Sequence, residues 1–391
     1  MQRSSQGTPS VAAGKPIVGL NAHLLSMDAS YRNAGLSRYI YHLMHHLPAA
    51  APDLDLVGYV GGGDISVPGW QMRPAVWRTG SAPKRILWEQ LAQPWALHRD
   101  HIDLVHAPAY VGPLVHRCPV VVTVHDLTFF RYPELFPSGN RRYLQRMTRA
   151  TAALASRVIV DSASTRRDVA ELLDIPLERI SVIYPGTNRG AGGQPETEDM
   201  RTWRERHSLG DDFVLFVGTL EPRKNISLLL DAWSLLAGRR GLCPTLVIVG
   251  GKGWFYDALY ARVRTLGLTD SVRFAGYVPD DELASWYAAA SLFVFPSLYE
   301  GFGFTPLEAM ACGTPVLASN RSSLPEVVGN AGILLPPDDP AVWADTIAKL
   351  LSSPEKRASM TEAGYLQAER FSWNETARQT ADVYRQVLDN D

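Results

Sequence analysis

The 391-residue sequence has little cysteine, no long uncharged apolar run and almost no net charge. Its three cysteines, Cys118, Cys243 and Cys312, lie far apart, each beside Pro or Gly in what reads as a strand-edge context. That spacing offers neither a disulfide framework nor a metal site, and it suits a reducing compartment. No window approaches the ~18 apolar residues of a bilayer-spanning helix, so none is expected. The opening residues MQRSSQGTPSVAAGK lack the apolar centre of a signal peptide. Residues 1–15 are expected to form a disordered tail, and the chain to be cytoplasmic. No basic run interleaved with aromatics stands out, so no nucleic-acid partner is expected.

What is present is ordinary for a soluble globular chain: 46% hydrophobic and 20% charged residues. The length allows two to three domains at about 150 residues each. The net charge of −2 hides an asymmetry. Residues 1–195 carry 20 Lys and Arg against 14 Asp and Glu, a balance of +6; residues 196–391 carry 18 against 26, a balance of −8. Different surfaces are expected to meet different partners.

The most linker-like stretch is Gly186 to Glu198, GTNRGAGGQPETE, and the domain boundary is placed there. Before it, Pro16–Ala22, Leu54–Val60, Leu104–His106, Val120–His125 and Val158–Asp161 read as strands. Leu36–Leu47 and about Asn140–Ser156 read as helices. After it, the strand candidates are Phe213–Gly218, Thr245–Gly250, Val272–Gly276, Leu292–Pro296, Pro315–Ala318 and Ile333–Leu335. Near-continuous apolar strands alternating with helices predict parallel sheets covered on both faces. The fold class expected is therefore α/β, with two doubly wound Rossmann-like domains facing across a cleft. They would span 16–190 and 191–370. Residues 371–391 read as a helix returning to the first domain, with Trp373, Thr376, Ala377, Val383, Tyr384 and Val387 inward. Ligands of such sheets bind outside the carboxyl ends of the strands.

The strongest motif is Leu292–Val316, LFVFPSLYEGFGFTPLEAMACGTPV. A strand ends at Pro296, a loop carries Glu300, Gly301, Phe302, Gly303 and Phe304, and a helix is expected from about Thr305 with Glu308 in its first turn. The glycines let backbone approach a ligand, and the helix-start amides favour an anion. Two carboxylates eight residues apart could accept hydrogen bonds from hydroxyls on either side. A ligand with phosphate at one end and hydroxyls beyond it fits, which is a sugar nucleotide. For a bare Glu pair, dipole complement and a solvated loop would be the better account.

The string resembles the signature of the retaining nucleotide-sugar glycosyltransferases of family 4, which have the two-Rossmann-domain GT-B fold. The resemblance covers nearly the whole chain from about Ile17. It implies that Glu300 lies against the donor sugar and that Glu308 holds the ribose hydroxyls. It implies donor contacts from Gly301, Phe302, Gly303, Phe304 and Thr305. In Val217–Asn225, VGTLEPRKN, it assigns Gly218 and Lys224 to the diphosphate. The family usually has an Arg five residues before the Lys; here that residue is Thr219, and Arg223 is expected to supply the guanidinium. A solvated helix-start pair is the alternative for Arg223 and Lys224. In RNAGLSRY, residues 32–39, Gly35 matches the turn near the diphosphate, with one Gly where two are usual, and Arg38 is expected at solvent or the cleft edge. In VVTVHDL, residues 121–127, His125 and Asp126 match a strand end facing the donor sugar. Gly276, Tyr277 and Val278 match the segment whose backbone meets the base.

Other signals read as bland. Asp53 and Asp55 mimic a metal-binding D-x-D but precede their strand, so a solvated strand start is expected. His42, His45 and His46 have helical metal spacing without an acidic partner. Arg141, Arg142, Arg146 and Arg149 form either a solvated helix face or a patch for anionic lipid. The expected activity is retaining hexosyl transfer, with mannose favoured, from GDP-mannose or a UDP-hexose to a glycan or lipid-linked glycan. No cofactor or metal is expected, and peripheral contact with the inner face of an anionic membrane is. A nucleotide-sugar 2-epimerase and a non-catalytic sugar-nucleotide-binding protein are the alternatives.

Overall fold

The computed structural model describes residues 14–25, 34–136, 138–187, 200–210, 212–238, 244–251, 253 and 256–390. Most of the expected tail, the expected linker from residue 188, Arg32, Asn33 and Cys243 lie outside the described residues.

Two all-parallel sheets carry the fold. The first contains β1 (Ile17–Asn21), β2 (Asp55–Val60), β3 (Gln71–Pro74), β4 (Leu104–Ala107), β5 (Val120–Val124), β6 (Arg157–Val160) and β7 (Ile180–Val182), in the order β3-β2-β1-β4-β5-β6-β7. The second contains β8 (Phe213–Val217), β9 (Thr245–Val249), β10 (Val272–Gly276), β11 (Leu292–Phe295), β12 (Val316–Ser319) and β13 (Ile333–Leu335), in the order β10-β9-β8-β11-β12-β13. Every residue of β4, β5, β8, β11 and β12 is buried, as apolar strands covered on both faces must be.

Each chain half winds outward from a central strand and then crosses to its other side. The switch points lie between β1 and β4 and between β8 and β11, where a crevice opens at the strand ends. The two crevices face each other, because the loop after β5 touches the loop after β11. A Cβ on Gly301 would stand 1.9 Å from the His125 carbonyl oxygen. Only glycine allows that approach.

The C-terminal helix, Trp373–Leu388, leaves the second half and packs on helix Ala34–Ala50 of the first. Trp373, Ala377, Ala381 and Tyr384 share a core with Val18, Tyr39 and Ile40. Arg385 Nη2 donates to Asp53 Oδ1 at 2.6 Å, so Asp53, half-exposed as a solvated strand start would be, also touches this helix.

Two sequence expectations are corrected and one element is added. Edge strand β3 was unread, because QMRP is short, half-exposed and ends in Pro. Glu308 lies beyond the first turn of helix Phe304–Ala311, since the helix begins one residue early. Cys312 follows that helix as its C-cap and does not edge a strand. No described helix is long and apolar enough to cross a membrane.

Candidate active site

The chain after β8 turns sharply before its helix. Pro222 opens a 3-10 turn, Pro222–Lys224, and Asn225 closes it at φ 55°. Asn tolerates this left-handed backbone. Its Nδ2 donates to the Pro337 carbonyl at 2.8 Å, which fixes the turn. Arg223 and Lys224 are thereby aimed at the loop after β11.

There they meet Glu300. Lys224 Nζ donates to Glu300 Oε1 at 2.7 Å, and Arg223 Nη1 lies 2.6 Å from Glu300 Oε2. Ser297 Oγ also donates to Oε1, at 2.6 Å. Arg223 is further held by Glu221, at 2.7 Å, and by the Tyr299 carbonyl, at 2.6 Å. Both cations are therefore enclosed, not a solvated pair. Burial alone would raise the Glu300 carboxyl; Arg223 and Lys224 outweigh it and hold it at about 2. Burial and the Arg223 charge together lower the Lys224 ammonium. The four groups Glu221, Arg223, Lys224 and Glu300 sum to zero charge.

Across the cleft, His125 leaves β5 with both ring nitrogens engaged. Nε2 donates to the Pro108 carbonyl at 2.7 Å, and Nδ1 lies 2.6 Å from Asp161 Oδ2. Burial would lower the imidazole pKa; Asp161 overrides it and raises it. The ring is thus committed to the protein, and what His125 turns toward the second domain is its carbonyl. Asp161 Oδ1 is buried with no hydrogen-bond partner.

A cavity of about 220 Å³ lies between these walls. Gly35, Tyr110, His125, Asp126 and Asp161 line it from the first domain, and Lys224, Phe295, Glu300, Gly301, Phe302, Gly303, Phe304 and Thr305 from the second. Arg223 sits behind Glu300. Gly218 follows β8, Gly276 ends the outer strand β10, and Tyr277 and Val278 follow it, all outside the cavity lining. Glu308 is also outside it: Arg38 pairs with its Oε1 from the first domain, and Tyr287 Oη donates to its Oε2 at 3.1 Å. Arg38, expected at solvent or the cleft edge, thus bridges the domains.

Further contacts close the cleft. Tyr299 Oη donates to Asp168 Oδ2 at 2.6 Å. Glu326 accepts from the amides of Ala163 and Ser164, each at 2.7 Å, at the start of helix Ala163–Leu173.

A second polar cluster sits at the end of β1, the switch point of the first sheet. Asn21 Nδ2 donates to Glu89 Oε1 at 2.8 Å, and His23 Nδ1 lies 3.0 Å from Thr79 Oγ1. Asn21 Oδ1, His23 Nε2 and Gln93 Nε2 are buried without partners. Burial raises the Glu89 carboxyl to about 7 and lowers His23 to about 3. Among the described residues, no group of three or more His, Cys, Asp or Glu could hold a metal ion. His42 instead stacks on Trp373, with ring centroids 4.7 Å apart.

The group 1 glycosyl transferase profile matches residues 199–367, and the glycosyltransferase family 4 profile matches residues 34–190. The O-antigen chain mannosyltransferase B of Escherichia coli is 36% identical over 295 residues, covering 75% of this chain and 77% of that protein. The chain is a GT-B glycosyltransferase. Sucrose-phosphate synthase from Thermosynechococcus elongatus shares the glycosyltransferase's fold at a TM-score of 0.77, with 21% identity over 96% of this chain and 100% of that one. Anabaena HepE, solved with UDP, does so at 0.71, with 20% identity over 95% and 100%.

Sequence reasoning missed two residues at the glycosyltransferase's cavity, Ser297 and Asp161, and two in the second polar cluster, Asn21 and Glu89. Ser297 stood in the quoted PSLYEG string but carried no assigned partner. Asp161 immediately follows β6, as His125 follows its neighbour β5, so strand order alone would have placed the two side by side. Asn21 and Glu89 meet 68 residues apart, a pairing with no local sequence signal.

Proposed function

We propose that this glycosyltransferase moves a hexose, with mannose favoured, from a nucleotide diphosphate sugar to a hydroxyl of a glycan or lipid-linked glycan. The configuration at the anomeric carbon is retained. The observation that carries this reading is Glu300, buried between Arg223 and Lys224 at the switch point of the second sheet and facing Asp161 across the cavity.

The diphosphate lies over the start of helix Phe304–Ala311 and draws on Arg223 and Lys224, whose charge Glu300 and Glu221 balance beforehand. Charge on the departing diphosphate grows in the transition state, and fixed cations and amides stabilise it without reorganisation. These groups supply the positive charge, so no metal or other cofactor enters the reading. Glu308 holds the ribose hydroxyls by exchanging Arg38 for them. The unpartnered Asp161 Oδ1 accepts from a hydroxyl of the transferred sugar. Glu300 is already saturated by three donors, so attack proceeds on the front face, with a diphosphate oxygen taking the acceptor proton. Closure of the cleft keeps water from the donor.

The acceptor enters from the first domain, and the enzyme works in the cytoplasm, peripherally at the inner membrane face. The EPRKN turn and the likeness to a protein named a mannosyltransferase support GDP-mannose. A UDP-hexose is second, supported by the HepE complex with UDP. Thermal-shift titration with GDP, UDP, ADP and dTDP identifies the base, because ligands of the native state raise its stability. Transfer from the matching sugar nucleotide, run with excess EDTA and followed by NMR of the anomeric proton, tests the rest. An inverted product rejects retention, product from donor alone makes the protein an epimerase, and loss of activity restored by magnesium rejects metal independence.

A further inference from the structure

Helix Ala82–Leu87, the π-helical turn Trp88–Ala92 and helix Gln93–Arg99 form one continuous run that buries Trp88, Ala96 and Leu97 in the core and yet carries large apolar side chains on its outer side as well. Its buried side includes Glu89 and Gln93. Its exposed side presents Leu87, Leu91 and Trp95, which are 52%, 66% and 61% exposed. Their four-residue spacing makes one ridge. Val115, 71% exposed, lies beside it, because Gln90 Nε2 donates to the Gly112 carbonyl at 3.0 Å and the Leu114 amide donates to Gln90 Oε1 at 3.1 Å. A helix that turns leucine and tryptophan outward and glutamate inward presents an apolar surface to something other than water.

The charge around the ridge is predominantly positive, with Asp100 at its end paired to Arg99. Residues 82–99, 108–119 and 138–156 contain three, one and four Lys and Arg, eight in all, and their single acid is the buried Glu89. The third segment, helix Ser138–Leu154, is tied to the second by the Gly112 amide, which donates to Thr151 Oγ1 at 3.3 Å. The cations are not equally available. Arg141 and Arg149 donate to the carbonyls of Pro133 and Leu172, and Arg99 pairs with Asp100 at 2.8 Å while lying 5.1 Å from the Trp95 ring centroid. Lys84, Arg142 and Arg146 are exposed.

We propose that this ridge docks on an anionic lipid bilayer, with Leu87, Leu91, Trp95 and Val115 entering the headgroup layer and the flanking cations meeting lipid phosphates. A second copy of the chain would set eight cations against eight, and a nucleic acid would leave the apolar ridge unburied. The run follows β3 and precedes β4 in a parallel sheet, so its first residues lie at the cleft side. A lipid-linked acceptor would approach the cleft along it. That last step rests on the acceptor reading above, and the docking itself does not.

The test is co-sedimentation of the full chain with vesicles of phosphatidylcholine containing about 30 mol% phosphatidylglycerol, against pure phosphatidylcholine. Binding is expected to the anionic vesicles, weakened by salt. The exposed double variant Leu91→Glu/Trp95→Glu is expected to bind at least about tenfold more weakly with an unchanged thermal midpoint. Nucleotide binding by that variant is expected to match wild type, which separates failure of docking from failure of the donor reading. No binding to anionic vesicles, equal binding to neutral ones, or equal binding by the variant would overturn the proposal. Loss of self-association in the variant without any vesicle binding would assign the ridge to a second copy instead.

Discussion

Glu300 and Glu308 are chemically identical, yet their surroundings assign them different work. Glu300 compensates two enclosed cations, so Glu300→Gln leaves buried charge unpaired and is expected to lower stability by about 3–5 kcal/mol. Turnover should fall further than nucleotide affinity. Glu308→Ala should instead weaken free nucleotide by about 1.5–3 kcal/mol through lost ribose contacts, and cost about 1–3 kcal/mol of stability by leaving the buried Tyr287 hydroxyl without its acceptor. Calorimetric titration and chemical denaturation of both variants separate the two roles, and equal nucleotide affinity for Glu308→Ala and wild type would reject the ribose assignment. Glu89 makes a third case. Its carboxyl stands at about 7 in the fold against 4.5 ordinarily, because it is buried. A raised acid pKa means that the folded state holds the proton more tightly. The stability tied to that proton is present below about pH 4.5 and is lost as pH rises through about 7. Glu89→Gln removes the ionisation, so relative to wild type it should gain up to about 3 kcal/mol between pH 5 and pH 8. Urea unfolding at both pH values reads this directly, and a pH-independent difference would show that Glu89 is not held protonated.

At the scale of elements, what could be read from sequence was what periodicity carries. The apolar strands β4, β5, β8, β11 and β12 and the amphipathic C-terminal helix all advertise their burial in their residues. Strand β3 and the helical run 82–99 do not, because the first is a half-exposed edge and the second turns Leu87 and Leu91 outward while burying Glu89, and carries Pro83 and Pro94. The site divides the same way. The loop from Glu300 to Thr305 was legible because one local string specifies strand, turn and helix. The Arg38–Glu308 and Tyr299–Asp168 contacts join residues 270 and 131 positions apart, and nothing local announces them. Glu326 is a further case. Helix Ala163–Leu173 satisfies the Thr165 amide with its own Ser162, while the amides of Ala163 and Ser164 are satisfied from the other domain. Glu326→Ala is expected to cost about 1 kcal/mol, the scale of a lost helix cap. Because the cap spans the cleft, the same variant should raise hydrogen exchange at Ala163 and Ser164 above that of the rest of the helix. Uniform exchange along the helix would show that the contact carries no stability.

At the scale of the molecule, two sheets and one returning helix make a body whose halves are joined at a narrow place. The chain leaves the first half at Gly186 and Thr187 and comes back through Phe371, Ser372 and Trp373. The Thr187 amide donates to the Phe371 carbonyl at 3.1 Å, so the outgoing and returning strands of chain touch. A Cβ on Gly186 would stand 2.1 Å from the Trp373 amide nitrogen, which leaves no room for any other residue. Gly186→Ala is therefore expected to lower the thermal midpoint and to reduce turnover, and wild-type values for both would show that the crossing can spread. The consequence is mechanical. The donor loop lies against this crossing, since the Phe302 ring stands 5.6 Å from Phe371 and the Phe304 ring 6.4 Å from Trp373, so the protein is bound as a book is, with its text set close to the spine. Its pages turn about that spine, and a small turn there shifts the walls of the cavity that a sugar must enter.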